Sequence, residues 1–252
     1  MVRPSTQLLA VCGAQRSGTT MLLEALERHP SLEVHHESSP AVMRDFRVVS
    51  LEQVQQVVDA AACGGVVIKP LCDSQWVDRM LDAVPQSRAL WMFRAWHDVV
   101  NSAARKWPGH AAEILAAFRR RDESYLGWRS ERIHPDTLAA FAALTRHVEP
   151  DDDRGAWAAW WWLRNRHLFD LGLDQHPDRV RPLRYEDLVR DPDRWLAASC
   201  AFAGFPGRAG LTARMHARSV NRAAAPTVPD VVGAACDDLY QRLCDAAARA
   251  WA

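Results

Sequence analysis

The sequence lacks an excess of charge of either sign and lacks any long apolar run. Its 252 residues contain 31 Lys plus Arg and 31 Asp plus Glu, so no net charge draws it to nucleic acid or to an anionic membrane surface. The first apolar run, from Leu8 to Cys12, is too short for the core of a signal peptide or for a membrane-spanning helix. We therefore expect a cytoplasmic protein that binds neither nucleic acid nor membrane, and any anion site must be local.

The sequence also lacks the cysteine patterns of metal sites and the linkers of multidomain chains. Its six cysteines form no CxxC pair and no Cys/His cluster at zinc-ligand spacing, so we expect reduced, mostly buried thiols and no metal. No internal repeat or low-complexity segment divides the chain. Because α/β proteins of this length commonly form one domain, we expect residues 1–252 to be a single domain.

Short apolar segments alternate with helical segments along most of the chain. A strand at 7–12 is followed by a helical pattern at 19–29, and similar units begin at 66–68 and 89–93. A last core strand at 180–184 leads into further helix. This alternation predicts an α/β fold, a P-loop-like three-layer arrangement with a central parallel sheet flanked by helices.

Helical patterns also occur outside these units. Residues 110–150 show no strand pattern, and we expect a helical insertion there that could cover a binding site. The acidic residues 151–153 precede a helical stretch at 156–171, where they suit the capping of its N-terminus. Three consecutive tryptophans at 160–162 would point about 100° apart on this helix, so at least one must leave the core for a cleft or a partner. A final amphipathic helix is predicted at about 229–251.

A glycine-containing loop, Gly13 to Thr20, joins the first strand to the first helix. Gly13 and Gly18 are five residues apart, which lets successive N–H groups and the helix N-terminus converge on a phosphate, as in a P-loop. The lysine that a P-loop carries before its Ser or Thr is missing, and the loop's positive charge is Arg16. A guanidinium can bind phosphate or sulfate oxygens bidentately. The alternative interpretation is a tight surface turn with an exposed arginine.

Three motifs in order resemble those of sulfotransferases. The stretch from Arg16 to Thr20 resembles the family's 5′-phosphosulfate loop, particularly in the protein-tyrosine and bacterial branches. Phe93-Arg94 with Ser102 resembles the second motif, in which an arginine and a serine bind a 3′-phosphate, and the segment around Tyr185 resembles a later one near the adenine or ribose. The resemblance implies 3′-phosphoadenosine 5′-phosphosulfate (PAPS) as the donor, with no metal. The donor-binding residues that it implies are Arg16, Ser17, Gly18, Thr19, Thr20, Arg94, Ser102 and Tyr185.

Sulfuryl transfer requires cations at the sulfate, where charge develops. Arg16 is one candidate. Lys69 is the other, because it follows the strand 66–68 and, with Pro70, resembles the family's catalytic lysine; alternatively, Lys69 simply leaves the strand for solvent. Arg94 also has a second interpretation, as half of an exposed ion pair with Asp98, in which case Ser102 is an ordinary helix residue.

The acceptor must lose a proton to a base. The tyrosylprotein branch of the family uses a glutamate 21 residues after the loop arginine, which corresponds to Glu37. His35 and His36 are alternatives, because histidine titrates nearer to neutral pH than glutamate does. His97 is a weaker candidate, since it lies in the segment matched to 3′-phosphate binding.

The implied reaction transfers a sulfuryl group to a hydroxyl or amine of a small-molecule acceptor. Trp157, Trp160 and Trp161, with the insertion at 110–150, indicate an aromatic-walled pocket, although the same tryptophans could be core residues. The basic stretch 218–222 either closes over the nucleotide or is a solvated loop. Two other functions stay open: a degenerate P-loop kinase or nucleotide hydrolase, and a noncatalytic nucleotide-binding scaffold. The sequence makes no prediction of oligomeric state.

Overall fold

The computed structural model describes residues 6–217 and 220–252. In chain order its elements are β1 (Gln7–Gly13), α1 (Thr19–Leu26), β2 (Leu32–His35), β3 (Met43–Arg44), β4 (Arg47–Val48), α2 (Leu51–Ala60), β5 (Gly65–Ile68), α3 (Val77–Ala83), β6 (Ser87–Phe93), α4 (Trp96–Lys106), α5 (His110–Arg120), α6 (Glu123–Leu126), α7 (Pro135–Thr145), α8 (Asp153–Asp170), β7 (Val180–Arg184), α9 (Tyr185–Arg190), α10 (Pro192–Ala203) and α11 (Asp230–Ala250). Short 3₁₀ segments occupy Leu71–Trp76, Gly127–Arg129 and Leu173–Gln175.

Five of the strands form one parallel sheet in the order β2-β5-β1-β6-β7. β1 lies at the centre, pairing Leu8 with Val66 of β5 on one side and with Ser87 of β6 on the other. The remaining two strands, β3 and β4, form a separate antiparallel hairpin. The predicted α/β fold with a central parallel sheet is confirmed.

Alternate residues of β1 enter two different cores. Leu8 and Ala10 pack on one face of the sheet, in a core that includes residues of α4, α8 and α11. Leu9 and Val11 pack on the other face, against residues of α1 and α10. Because strand side chains alternate between faces, this fully apolar strand requires a helical layer on each side. The result is the three-layer arrangement expected from the sequence.

α8 is the central helix of its layer, begins three residues before the predicted helical stretch, and is capped by one of the acidic residues as expected. The Asp152 side chain accepts a hydrogen bond from the Gly155 backbone N–H at 2.9 Å, which caps the helix. Of the three consecutive tryptophans, Trp160 and Trp161 are buried, and Trp162 is partly exposed. Trp162 nevertheless packs against the same core as the other two, so none of the three leaves that core entirely.

The segment between β2 and β5 contains structure that the sequence did not predict. It holds the β3–β4 hairpin and α2, which Ser50 caps by accepting a hydrogen bond from the Gln53 N–H at 3.0 Å. Residues 110–150 contain α5, α6 and α7. No helix within residues 6–217 and 220–252 is both long and apolar enough to cross a bilayer.

Candidate active site

The predicted site residues follow the carboxyl ends of the parallel strands. Lys69, Arg94 and Tyr185 come directly after β5, β6 and β7, the loop that contains Arg16 follows β1, and Glu37 lies two residues after β2. Strands that run parallel bring these ends to one edge of the sheet, which is where open α/β sheets bind their ligands. Residues from distant parts of the sequence therefore meet at a single edge.

The loop after β1 has the backbone of an anion cradle. Gly13 and Gly18 have φ angles of 122° and 88°, which favour glycine. A Cβ on Gly13 would lie 2.1 Å from the Met92 carbonyl oxygen, and one on Gly18 would lie 2.3 Å from Cδ2 of Tyr185. Ser17 is fully buried, and its Oγ has no hydrogen-bond partner in the described part of the chain. Both glycines are thus required by shape, and the loop ends at the N-terminus of α1.

The charge of this loop is directed toward α4. The Arg16 Nε donates a hydrogen bond to Ser102 Oγ at 2.9 Å, and its guanidinium carbon lies 5.7 Å from the centre of the Trp107 ring. Partial desolvation, with the charges of Arg94 and Arg105, lowers the pKa of the Arg16 guanidinium. Neighbouring cations that repel one another are stabilised by an anion between them. Arg16 is exposed to solvent, and the charges of Arg94 and Arg105 act on it.

Lys69 connects the loop to Glu37. Its side chain is only 4% exposed, and its Nζ lies 2.8 Å from Glu37 Oε2. The same ammonium donates a hydrogen bond to Thr20 Oγ1, also at 2.8 Å. Lys69 therefore does not leave its strand for solvent. It lies between the first turn of α1 and the candidate base.

The three histidines considered as bases have other partners. His36 Nε2 lies 2.8 Å from Glu27 Oε1, just after α1, and His35 contacts Ser39 Oγ and Glu33 Oε1, both at 2.9 Å. His97 stacks on Trp96, with ring centres 4.2 Å apart. None of these three histidines lines either of the two cavities described below.

The contacts of Arg94 include Asp98 and Tyr185. Arg94 is buried, its Nη2 lies 3.0 Å from Asp98 Oδ2, and its guanidinium carbon lies 4.5 Å from the centre of the Tyr185 ring. Arg94 and Asp98 therefore do form an ion pair, as the alternative interpretation of Arg94 expected, but the pair is buried rather than exposed. Arg94 and Ser102 nevertheless both line the cavity at the loop. The ion pair fixes the guanidinium there without removing it from the site.

Two cavities meet at Glu37. The first, here called the loop cavity, has a volume of about 490 Å³, and its lining includes the predicted residues Arg16, Gly18, Thr19, Thr20, Glu37, Lys69, Arg94, Ser102 and Tyr185. The second, here called the aromatic cavity, has a volume of about 270 Å³, and its lining includes Phe46, Trp107, Trp128, Trp157 and Trp160. Gln15, Glu37, Leu71 and Trp107 line both. Glu37 thus faces a polar, cationic space on one side and an apolar one on the other.

A basic groove continues from the loop cavity along α4. It is lined by Arg16, Arg94, Ser102, Arg105, Lys106 and Arg222, among others. Arg222 belongs to the stretch 218–222, of which Arg218 and Ser219 lie outside the described residues. The Asn221 N–H donates to Asp98 Oδ2 at 3.1 Å, so the described part of this stretch lies against the segment that carries Arg94.

Several cavity residues were not predicted from the sequence. Phe46, at the tip of the β3–β4 hairpin, has a φ of 64° and is 57% exposed at the aromatic cavity. Four further residues line the aromatic cavity although the sequence did not indicate them as site residues: Gln15, Trp107, Trp128 and Arg129. Two of the three tryptophans that the sequence indicated for a pocket, Trp157 and Trp160, line the aromatic cavity. Asp45-Phe46 is not a common turn pair, so no local signal marks the hairpin.

Metal-ligating side chains do not gather at this edge. Within the described ranges 6–217 and 220–252, no group of three or more His, Cys, Asp or Glu residues is placed to hold a metal ion. The charged groups that line the loop cavity include the cations Arg16, Lys69 and Arg94 and the carboxylate of Glu37.

Comparison with known proteins gives matches among solved structures only. No protein-family model matches the sequence. No curated protein matches it either. A sulfotransferase from Mycobacterium avium aligns with 96% of this chain and 77% of its own at 15% identity, with a TM-score of 0.55. The sulfotransferase domain from the curacin biosynthetic pathway aligns with 96% of this chain and 97% of its own at 16% identity, with a TM-score of 0.53. The chain therefore has the fold seen in sulfotransferases.

Proposed function

We propose that this chain is a sulfotransferase that moves the sulfuryl group of PAPS to a hydroxyl or amine of a small-molecule acceptor. One observation carries the proposal: Lys69 contacts Thr20 of the loop and Glu37 at the same time, where the loop cavity meets the aromatic cavity. A cation and a base are thus adjacent at the junction between a space suited to an anionic donor and a space suited to an apolar acceptor.

The loop cavity provides for the donor. The N–H groups at the start of α1 and the positive end of its dipole favour a 5′-phosphosulfate, and Arg16 adds a guanidinium beside them. Arg94 and Ser102 line the same cavity, where they would bind the 3′-phosphate. Tyr185 would lie against the adenine or ribose. In this proposal the protein's own cations, rather than Mg²⁺, offset the charge of the donor.

The aromatic cavity provides for the acceptor. Glu37 would take the proton from the acceptor hydroxyl as its oxygen forms a bond to sulfur. The bond between sulfur and the 5′-phosphate oxygen breaks, and adenosine 3′,5′-bisphosphate leaves with the bonding electron pair. Lys69 and Arg16 would stabilise the charge that develops on the transferring and leaving oxygens. No redox partner is needed, because the sulfur keeps its oxidation state.

Calorimetry with two nucleotides tests the donor. We expect adenosine 3′,5′-bisphosphate to bind without metal, and to bind more tightly than ATP with or without Mg²⁺. Binding of ATP that requires Mg²⁺, with no binding of the bisphosphate, would reject the proposal in favour of a kinase or nucleotide hydrolase.

Transfer itself is tested with PAPS labelled on sulfur and a panel of phenols, alcohols and amines. We expect labelled product from the wild-type chain and a greatly reduced amount from the Glu37→Gln variant. A chain that binds the bisphosphate tightly yet labels no member of a broad panel would instead support the noncatalytic scaffold.

A further inference from the structure

The aromatic cavity contains a cation that the proposed transfer does not use. Arg129 ends the 3₁₀ segment between α6 and α7 and lines the cavity. Its guanidinium carbon lies 5.0 Å from the centre of the Trp128 ring and 5.5 Å from that of Tyr125. Its Nη1 donates one long hydrogen bond, 3.3 Å, to the Tyr125 carbonyl oxygen. Aromatic rings and a carbonyl thus surround this charge.

Arg129 has no acidic partner in the part of the chain that the structure describes. No carboxylate there lies within 4.0 Å of its guanidinium, and its buried Nε has no hydrogen-bond partner. The nearby carboxylates are engaged elsewhere: Glu113 accepts a hydrogen bond from the Tyr125 hydroxyl at 2.9 Å, and Glu37 pairs with Lys69. A buried donor without a partner is costly, so its retention requires an explanation.

Two arginines near Arg129 are neutralised by carboxylates. Arg47 is paired with Asp73 and Glu131, and Arg132 forms a bidentate pair with Asp78. These pairs tie the hairpin and the insertion to the rest of the chain. Arg164, whose guanidinium carbon lies 5.1 Å from the centre of the same Trp128 ring, also has no carboxylate within 4.0 Å in the described ranges, but it is buried and donates to Gln75 Oε1 and to the Leu71 carbonyl. Arg129, by contrast, lines the aromatic cavity, where it can meet an external anion.

His110 and Cys72, which also line the aromatic cavity, carry no negative charge that could offset the charge of Arg129. Burial, with the charge of Arg129, lowers the pKa of His110, so its imidazole is neutral at pH 7. Burial raises the pKa of Cys72 to about 11, so its thiol is protonated. Cys72, Glu37 and Arg129 all line this cavity. A ligand here therefore meets both the carboxylate of Glu37 and the guanidinium of Arg129.

We infer that the acceptor is a single-ring aromatic alcohol that also carries a carboxylate, with its hydroxyl at Glu37 and its carboxylate at Arg129. The cavity volume of about 270 Å³ is at the small end for ligand sites, which favours one substituted ring. The rings of Trp107, Trp157 and Phe46 suit such a ligand, and a guanidinium binds a carboxylate through two parallel N–H donors. The assignment of the hydroxyl rests on the proposed function, whereas the assignment of the carboxylate does not.

The inference is tested by the binding of three matched phenols to the wild-type chain. The probes are 3-(4-hydroxyphenyl)propanoate, 4-propylphenol and 4-(2-aminoethyl)phenol, which share the ring and differ at the end of the side chain. Calorimetry is run with and without saturating adenosine 3′,5′-bisphosphate. We expect the carboxylate probe to bind about 10-fold more tightly than the propyl probe, the scale of one hydrogen bond to a charged group, and the ammonium probe to bind most weakly. The apolar probe would bind best if only the aromatic walls mattered.

Variants of Arg129 then test whether this residue causes the preference for the carboxylate probe. Arg129→Met should remove the advantage of the carboxylate probe, and Arg129→Lys should retain part of it. Arg120→Met is the matched control, because Arg120 ends α5 on the same insertion and is 64% exposed. A wild-type chain that binds the first two probes equally, or an Arg129→Met chain that keeps the preference, would overturn the inference. The wild-type comparison decides the matter even where a variant fails to fold.

The outcome is separable from that of the proposed function. An Arg129-dependent preference for the carboxylate, in a chain that neither binds the bisphosphate nor transfers sulfate, would support the anion site and reject the sulfotransferase. Transfer to phenols without any preference for the carboxylate would support the sulfotransferase and reject the anion site.

Discussion

The ammonium of Lys69 lies 2.8 Å from the carboxylate of Glu37, although the two residues belong to different strand connections. β2 and β5 are parallel neighbours, with His35 paired to Ile68, so both chains leave the sheet at the same level. Lys69 also donates its backbone N–H to the His35 carbonyl at 3.1 Å. The relative position of the candidate cation and the candidate base is thus set by backbone pairing, and not only by the ion pair itself.

Glu37→Gln tests the base. The amide keeps the shape of the carboxylate but cannot take a proton, so we expect turnover to fall by about 10²-fold or more. Affinity for adenosine 3′,5′-bisphosphate should change little, because the residues proposed to bind the donor lie on the loop, on α4 and after β6 and β7 rather than at Glu37. Initial rates with labelled PAPS and calorimetry measure the two effects. His36→Gln is the control, since His36 contacts Glu27 away from both cavities; a greater loss of turnover in that variant would transfer the role to His36.

Arg94→Met tests the 3′-phosphate contact. Loss of the guanidinium should weaken the binding of adenosine 3′,5′-bisphosphate much more than the binding of adenosine 5′-phosphate, because only the bisphosphate carries a 3′-phosphate. We expect a differential of about 10-fold or more, on the scale of one charge-assisted hydrogen bond. Titration calorimetry with both nucleotides gives the ratio directly. Equal losses for the two would mean that Arg94 acts only through Asp98 and Tyr185.

Gly18→Ala tests the shape of the loop. The added methyl carbon would lie 2.3 Å from Cδ2 of Tyr185, in a backbone with a φ of 88°. Gly109→Ala is the matched control, because Gly109 also has a positive φ, of 78°, but a methyl carbon added there would meet no heavy atom within 4 Å. Both variants should lose about 1 kcal/mol of folding stability, because alanine is strained in a backbone with a positive φ. Only Gly18→Ala should also lose bisphosphate affinity, and similar affinities in the two variants would contradict the cradle.

His167 should make the protein sensitive to acid. Burial, with the charges of Arg164 and Arg132, lowers the pKa of this histidine to about 3. In the unfolded chain it titrates near its ordinary value, about 6.5, so below that pH the unfolded state binds more protons and stability falls as pH falls. The expected loss is about 2 kcal/mol between pH 6.5 and pH 4.5.

Urea unfolding at these two pH values measures that loss. His167→Leu should remove most of it, because both ring nitrogens are buried without hydrogen-bond partners in the described part of the chain. His147→Leu, at an exposed position, should leave the pH dependence unchanged. A His167→Leu protein with the full acid sensitivity of the wild type would assign the effect to other groups.

Features of the fold that depend on local pattern could be predicted from the sequence. The fully apolar segments around Leu9, Val67 and Leu90 are strands buried on both faces, and such strands indicate a parallel sheet covered by helices. The glycine loop was also predictable, because its spacing and its place between a strand and a helix are local features. Site residues at strand ends follow from the same reasoning, since parallel strands end at one edge.

Features that depend on packing could not be predicted in this way. Arg129 lies in the short segment Gly127–Arg129, which in sequence resembles any surface turn, and only the placement of the insertion brings it to the aromatic cavity. Phe46 reaches that cavity because Asp73 accepts hydrogen bonds from Arg47 Nε and the Val48 N–H, which holds the hairpin in place. Whether His36 or Glu37 faces the cavities depends on where β2 ends, because adjacent residues there contact different partners.

The meeting of two cavities at Glu37 separates two kinds of sequence change. Lys69, Arg94 and Tyr185, which line the loop cavity, directly follow strands of the sheet, so a change in their backbone would disturb the core. The walls on the other side come from the β3–β4 hairpin, the insertion at 110–150 and one side of α8, and their ring and charge positions can be exchanged without moving a strand. Under the proposed function, substitutions confined to these peripheral segments would change which acceptor fits, while the residues proposed to hold the nucleotide keep their positions.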